Sequence, residues 1–192
     1  LVYASSAGVY GNGPTPMKED QEKQPLNAYA KSKHQMDLIA AQHFDKLNIV
    51  GLRYFNVFGP REHYKGTSSS MIWQLAQQMI SGRNPRIFKM GEQVRDHIYV
   101  KDVVKATILA SKLNKSGIFN VGTGVATTFN DVIKCLNSTL NMNKEPEYFD
   151  NPYTEVYQNN TQAHTEKSTP ILGFTPDFTI QKGIDDYFGK NE

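Results

Sequence analysis

Cysteine is almost absent from this sequence. Cys135 is the only one in 192 residues, which excludes an intrachain disulfide framework and leads to the expectation of a reducing compartment. Long apolar runs are lacking too. No stretch approaches the roughly 18 consecutive apolar residues of a membrane span, and no charged start followed by an apolar run marks a signal peptide, so the expected location is the cytoplasm, without a membrane partner. Nor is there an excess of charge of one sign: 21 Lys and Arg against 19 Asp and Glu leave a net +2, which supplies no broad field for nucleic acid. An anionic ligand must therefore be held by a local cluster. The five histidines, His34, His43, His63, His97 and His164, show no paired ligand spacing, so no metal site is expected and they read as surface or packing residues. An initiator Met is also lacking, and Leu1-Val2-Tyr3-Ala4 already reads as a buried strand. The expectation is a fragment whose preceding half is missing.

What is present is an ordinary globular composition, 39% hydrophobic and 21% charged, which argues against disorder. The first strand runs into the small-residue turn Ser5-Ser6-Ala7-Gly8 and then a loop rich in Gly and Pro from Gly11 to Pro25. From Tyr29 onward, Met36, Ile39, Ala40, His43 and Leu47 recur at three-and-four spacing. They predict a helix ending at Asn48 with those residues buried and Lys31, Lys33 and Asp37 elsewhere. The run from Ile49 to Phe55 reads as a strand, so strand, helix, strand forms a right-handed crossover. Beyond Gly59-Pro60 an inserted segment begins with a start signal at Thr67 to Ser70 and continues as a helix bearing Met71, Leu75, Met79 and Ile80. Asp102 is the expected N-cap of a helix bearing Val103, Ala106 and Leu113, followed by the strand Ile118-Phe119-Asn120-Val121. Thr128 and Asp131 form a capping-box pattern opening a helix with Phe129, Val132, Ile133, Leu136 and Leu140 on one side. The last helix begins after Thr179.

Tyr29 and Lys33 stand four residues apart on the first helix, which sets an ammonium beside a phenol. Positive charge there favours the ionised form of a phenol, so such a tyrosine can exchange a proton with a substrate hydroxyl. By itself the spacing is a weak signal, since such pairs are common on solvated helices. Its context is specific: Ala4-Ser5-Ser6-Ala7, Val9-Tyr10-Gly11, Pro25-Leu26-Asn27, Tyr29-Ala30-Lys31-Ser32-Lys33, and the segment from Arg53 to Arg61. This set resembles the Ser/Tyr/Lys triad and neighbouring loop of the extended short-chain dehydrogenases, in their NAD-dependent epimerase/dehydratase branch.

The resemblance implies roles. Ser6 would hydrogen-bond the reacting oxygen and Tyr29 would be the acid/base, while Tyr29, Lys33, Val57 and Lys65 would contact the nicotinamide cofactor. The loop Arg61-Glu62-His63-Tyr64-Lys65-Gly66 resembles that of the ADP-glycero-manno-heptose 6-epimerases, and there Lys65 would be a second proton-exchanging catalytic group opposite Tyr29; without the resemblance it reads as a solvated loop lysine. By the same likeness Asn56, Thr67, Gln74, Phe88, Lys89, Met90, Gly91, Arg95 and Tyr157 would line the site of an ADP-sugar substrate. Gln74 departs from the family's histidine, and Tyr64 and His97 also replace other residues. Arg95 can pair with a diphosphate or form a salt bridge to Asp96; Tyr157 can stack on a ligand or pack in the core.

The fold implied is α/β, a partial Rossmann-like doubly wound parallel sheet lacking its N-terminal half, plus a smaller α/β substrate-binding domain. Residues 1–60 and 97–124 would belong to the first, 61–96 and 125–192 to the second. Gly122-Thr123-Gly124 is not the dinucleotide loop, which should follow the first strand and open a helix. The implied activity is epimerisation at C6 of an ADP-heptose by an isomerase that is a homo-oligomer at full length. The subfamily implies NADP rather than NAD. Rival readings are another nucleotide-sugar epimerase or reductase and a non-catalytic nucleotide-sugar-binding module. A dehydratase is disfavoured, because Ala7-Gly8 rather than an acid pair follows Ser6.

Overall fold

In the computed structural model, residues 1–152 and 157–189 are described. Strand β1 (Val2–Ser6), helix α1 (Ala28–Ala41) and strand β2 (Val50–Tyr54) form the first crossover. Five residues of β1 pair in parallel with β2, from Val2 against Val50 to Ser6 against Tyr54. Next come β3 (Asn56–Phe58), α2 (Met71–Ile80), β4 (Arg86–Phe88), β5 (Val94–Arg95), β6 (His97–Tyr99) and α3 (Val100–Ser111). Strand β7 (Gly117–Val121) then returns beside β2, giving a parallel sheet in the order β1-β2-β7. The remaining elements are β8 (Thr127–Thr128), α4 (Phe129–Leu140), β9 (Glu147–Phe149), α5 (Ser168–Leu172) and α6 (Ile180–Phe188). This is a partial Rossmann-like α/β fold with a smaller α/β part. Among the described residues no helix is long and apolar enough to cross a membrane.

Parallel strands covered on both faces read as apolar runs, and β2 is buried along Val50–Arg53. On one face, Val50, Leu52, Phe119 and Val121 pack with Ala106 and Ala110 of α3 and with Leu172 and Phe174. A second core joins α2, α4 and α6 through Ile72, Leu75, Met79, Val132, Leu136 and Ile184. Three two-stranded pairs connect them: β3 with β6, β4 with β9, and β5 with β8, the last antiparallel.

Helix α1 differs from its expected orientation and length. Ala40 is buried as expected, but Asp37 is buried beside it, whereas Met36, Ile39 and Leu47 are exposed. The reason lies in the sheet beneath. Arg53 of β2 points to this face, and its guanidinium pairs with the Asp37 carboxylate at 2.8 Å. Tyr3 donates its hydroxyl proton to the same carboxylate, also at 2.8 Å. A charged sheet face is thus met by a charged helix residue, and apolar periodicity cannot anticipate that. The helix also stops at Ala41 rather than Asn48. Asp102 is not the N-cap of α3, a position held by Tyr99. Its carboxylate instead accepts from the backbone N–H groups of Asp177 and Phe178 at 2.9 and 3.1 Å, tying the α6 approach to α3.

Candidate active site

The C-terminal end of β1 and the first turn of α1 come together. Ser6, last in β1, accepts a hydrogen bond on Oγ from the Gly8 N–H at 3.1 Å. Asn27 caps α1 by accepting from the Ala30 N–H at 2.9 Å, and this sets Tyr29 in the first turn. A Cβ added to Gly8 would stand 3.3 Å from Ser6 Oγ and 3.6 Å from Ala30 Cβ, so one small residue separates the serine hydroxyl from the start of the helix. One turn further, Lys33 Nζ donates to the Ala4 carbonyl at 2.9 Å and lies 5.7 Å from the Tyr29 ring centre. Tyr29 is 59% exposed. Ser6, Tyr29 and Lys33 therefore share one side of the molecule.

A cavity of about 990 Å³ opens among β3, α2, β4 and β5. Of the residues expected at a ligand site, Asn56, Val57, Lys65, Thr67, Gln74, Phe88, Arg95 and Tyr157 line it. Ser6, Tyr29 and Lys33 are not among its lining residues. Neither are Lys89, Met90 and Gly91, which make the turn after β4: Lys89 pairs with Asp150 at 2.8 Å, and Met90 and Gly91 both have left-handed φ angles.

Lys65 rides on a 3-10 segment, Glu62–Ser68, entered through Arg61 in a left-handed conformation. The buried Glu62 carboxylate anchors that segment. It accepts from the Gly59 N–H at 3.3 Å and from the N–H and hydroxyl of Ser70, each at 2.8 Å, while the Lys65 ammonium stands 3.9 Å away. Gln74 donates its amide to the carbonyls of Ser69 and Thr67 at 2.9 and 3.3 Å, so the residue that replaces the family's histidine also braces this loop.

Arg95 forms no salt bridge with Asp96. It donates to the Val94 and Asn159 carbonyls, and its guanidinium lies 4.9 Å from the Tyr157 ring centre and 5.7 Å from that of Phe129. Burial lowers its pKa, and Tyr157 opposes that shift. Burial raises that of Tyr157, with Arg95 opposing. The Asp96 carboxylate is taken up by other donors: the Thr123 N–H and hydroxyl, the Gly124 N–H and the Ala163 N–H, all within 2.9 Å. Sequence reasoning did not single out Asp96 or Glu62, and neither stands out from any other exposed-type acid by spacing alone. Phe129 read only as a core residue, and its place on the cavity wall depends on β5 pairing with β8. His97 read as a surface or packing residue. It is buried and lines the cavity.

The NAD dependent epimerase/dehydratase family matches residues 1–122. The chain is 39% identical to an ADP-L-glycero-D-manno-heptose-6-epimerase of Brachyspira hyodysenteriae, over 97% of this chain and 61% of that protein. The crystal structure of the Helicobacter pylori ADP-L-glycero-D-manno-heptose-6-epimerase superposes with a TM-score of 0.90 at 40% identity, covering 97% of this chain and 58% of that one. The Thermus thermophilus UDP-glucose 4-epimerase, solved with NAD, gives 0.84 at 28% identity, with 100% and 64% covered. The chain thus spans about three fifths of the length of these relatives. They also correct the expectation of NADP: the solved relatives with a named dinucleotide carry NAD. The residues that read the ribose 2′-position are not among those identified in this chain, so its sequence held no information on that choice. With the family matching the first 122 residues and the fold carrying through to the last helix, the chain belongs to the NAD dependent epimerase/dehydratase family.

Proposed function

We propose that the protein containing this chain epimerises C6 of ADP-glycero-manno-heptose through a transient ketone, with NAD as cofactor, in supply of heptose for lipopolysaccharide core. The carrying observation is Lys33, held by the Ala4 carbonyl beside the Tyr29 ring at the end of β1 where Ser6 stands. Likeness to the two heptose epimerases supports the substrate. In this reading residues 1–60 and 97–124 serve the cofactor, and 61–96 and 125–192 the sugar nucleotide.

Tyr29, Lys33 and Val57 fit the nicotinamide and its ribose, since Tyr29 is exposed and an ammonium with one of its three protons committed to Ala4 has two left to donate. When bound, the nicotinamide supplies a reversible hydride acceptor. Tyr29 takes the proton of the C6 hydroxyl on its ionised oxygen as C6 gives up its hydride, and the Lys33 charge offsets the negative charge that oxygen carries before the transfer. Ser6 receives the Gly8 N–H on its oxygen, so its own proton is available to the reacting oxygen. In this reading the cavity of about 990 Å³ holds the sugar nucleotide, and its sugar end turns where it meets Ser6 and Tyr29, beyond the cavity lining. The hydride then returns to C6 on the opposite face and Lys65, on the cavity wall, gives a proton to the carbonyl oxygen there, after which Tyr29 and Lys65 recover their starting protonation by exchange with water.

The test uses the full-length protein with ADP-glycero-manno-heptose, following the C6 epimers by NMR. Tyr29→Phe and Lys65→Met should each lower turnover by about 100-fold or more, with substrate affinity held within about threefold. Full activity of Lys65→Met removes the second proton-exchanging group. Turnover of UDP-hexoses and not of the ADP-heptose would transfer the protein to the 4-epimerases. A non-catalytic binding module leaves Ser6, Tyr29 and Lys33 without a use.

A further inference from the structure

His97 is the polar group of the cavity wall whose ring the proposed chemistry does not use. It is 5% exposed, and neither ring nitrogen has a hydrogen-bond partner. Its neighbours are already committed. Asn56, directly across the β3–β6 pair, accepts on Oδ1 from the Thr161 hydroxyl at 2.9 Å, and Asp96, Arg95 and Glu62 each hold the partners described above. Two aromatic rings meet the imidazole edge-on, Phe58 at 6.4 Å and 87° and Phe129 at 6.2 Å and 76°. Both ring nitrogens have almost no exposed surface, so the ring rests at the cavity wall without a polar reason for being there, which is unusual for a buried polar side chain.

We propose that His97 turns its ring toward the cavity when ligand binds and is a specificity-determining residue that hydrogen-bonds a sugar hydroxyl of the bound nucleotide sugar, an assignment that rests on the nucleotide-sugar reading above. A neutral imidazole offers one N–H donor and one bare nitrogen acceptor. A hydroxyl both donates and accepts, so it satisfies either nitrogen in either tautomer. A phosphate only accepts, and the same cavity wall offers it Lys65, Arg83, Arg86 and Arg95, which suit it better. Burial, aided by the Arg95 charge, pushes the His97 pKa down to about 3, so the ring stays neutral and serves as a hydrogen-bonding group rather than a proton carrier.

The full-length protein is titrated calorimetrically with ADP-glycero-manno-heptose and with ADP. His97→Phe should weaken the ADP-sugar by about tenfold or more while ADP binds as before, because a polar site discriminates by the partner it leaves unpaired. His97→Gln, which keeps a donor and an acceptor, should recover affinity to within about threefold of the wild type. Unchanged ADP-sugar affinity in His97→Phe overturns the proposal, as does an equal loss for ADP, which would mark a packing role. If His97→Phe does not fold, the wild-type ring nitrogens decide by ¹⁵N NMR: they should shift with the ADP-sugar and not with ADP, and no difference overturns the proposal. A wild type that binds no ADP-heptose sinks the substrate reading itself, a result distinct from those of the variants.

Discussion

At the residue scale, the buried acids do most to hold the two sides of the site together. Asp37 sits 2% exposed between Arg53 and Tyr3, and Arg53 reaches on to the Tyr10 hydroxyl and the Glu19 carbonyl. Tyr10 in turn donates to Asn120 of β7, so one network runs from α1 through β2 to the far strand. Removing one partner of such a pair leaves a buried charge uncompensated, whereas replacing both with apolar groups can be nearly neutral. Asp37→Ala should therefore cost about 3–5 kcal/mol, measured by urea unfolding of the full-length protein. The double change Asp37→Ala, Arg53→Met should be less destabilised than Asp37→Ala alone. A single variant within about 0.5 kcal/mol of the wild type would show that the pair is not coupled in this way. The sequence displayed Tyr29 and Lys33 because their relation is local, four residues on one helix. It hid Asp37 because its partner lies on another element, and the strand pattern of β2 reads as apolar except for that one arginine.

At the element scale, boundaries set by side-chain chemistry were legible and those set by tertiary partners were not. The capping box of α4 is formed in its first half: Thr128 accepts from the Asp131 N–H at 3.0 Å, while the Asp131 carboxylate accepts from the Thr128 hydroxyl at 2.7 Å rather than from its backbone N–H. Hydrogen bonds to Lys134 and Thr128 hold the Asp131 carboxyl below its ordinary pKa. The box matters beyond α4, because Thr128 also pairs with Val94 in the short β5–β8 ribbon, next to Arg95 on the cavity wall. Thr128→Ala should lower stability by about 1 kcal/mol, read as a fall in urea midpoint at unchanged slope; no change in midpoint would mean that the cap is idle. Asp102 shows the opposite case. It has the right residue type for an N-cap, yet it lies inside the first turn of α3, since the Asp177 and Phe178 N–H groups, 75 and 76 residues further on, claim its carboxylate. The cavity has the same origin: its lining comes from β3, the Lys65 segment, α2, β4, β5 and Tyr157, and only the family resemblance linked residues so far apart.

At the scale of the whole molecule, the starts of the longer helices, where a dinucleotide's phosphates could rest, are already in use. Helix N-termini attract phosphate through unpaired N–H groups and the helix dipole. Here Asn27, Ser70, Thr128 and Thr179 each cap their own helix, and Asp102 puts a negative charge in the first turn of α3. The glycine turn Gly122-Thr123-Gly124 points its N–H groups at Asp96, a carboxylate that occupies the place an anion would take. In the proposed reading the described residues thus offer NAD Tyr29 and Lys33, and these helix starts do not serve its pyrophosphate. Because ionic contacts to phosphate give much of a dinucleotide's affinity, the 192-residue chain alone should bind NAD no tighter than about millimolar, while the full-length protein should bind it at least about 100-fold more tightly. Calorimetric titration of both, with circular dichroism confirming that the chain is folded, measures the difference. Micromolar binding by the chain alone would mean that Asp96 gives up its turn to the cofactor, and Asp96→Asn would then strengthen binding further by removing the competing charge.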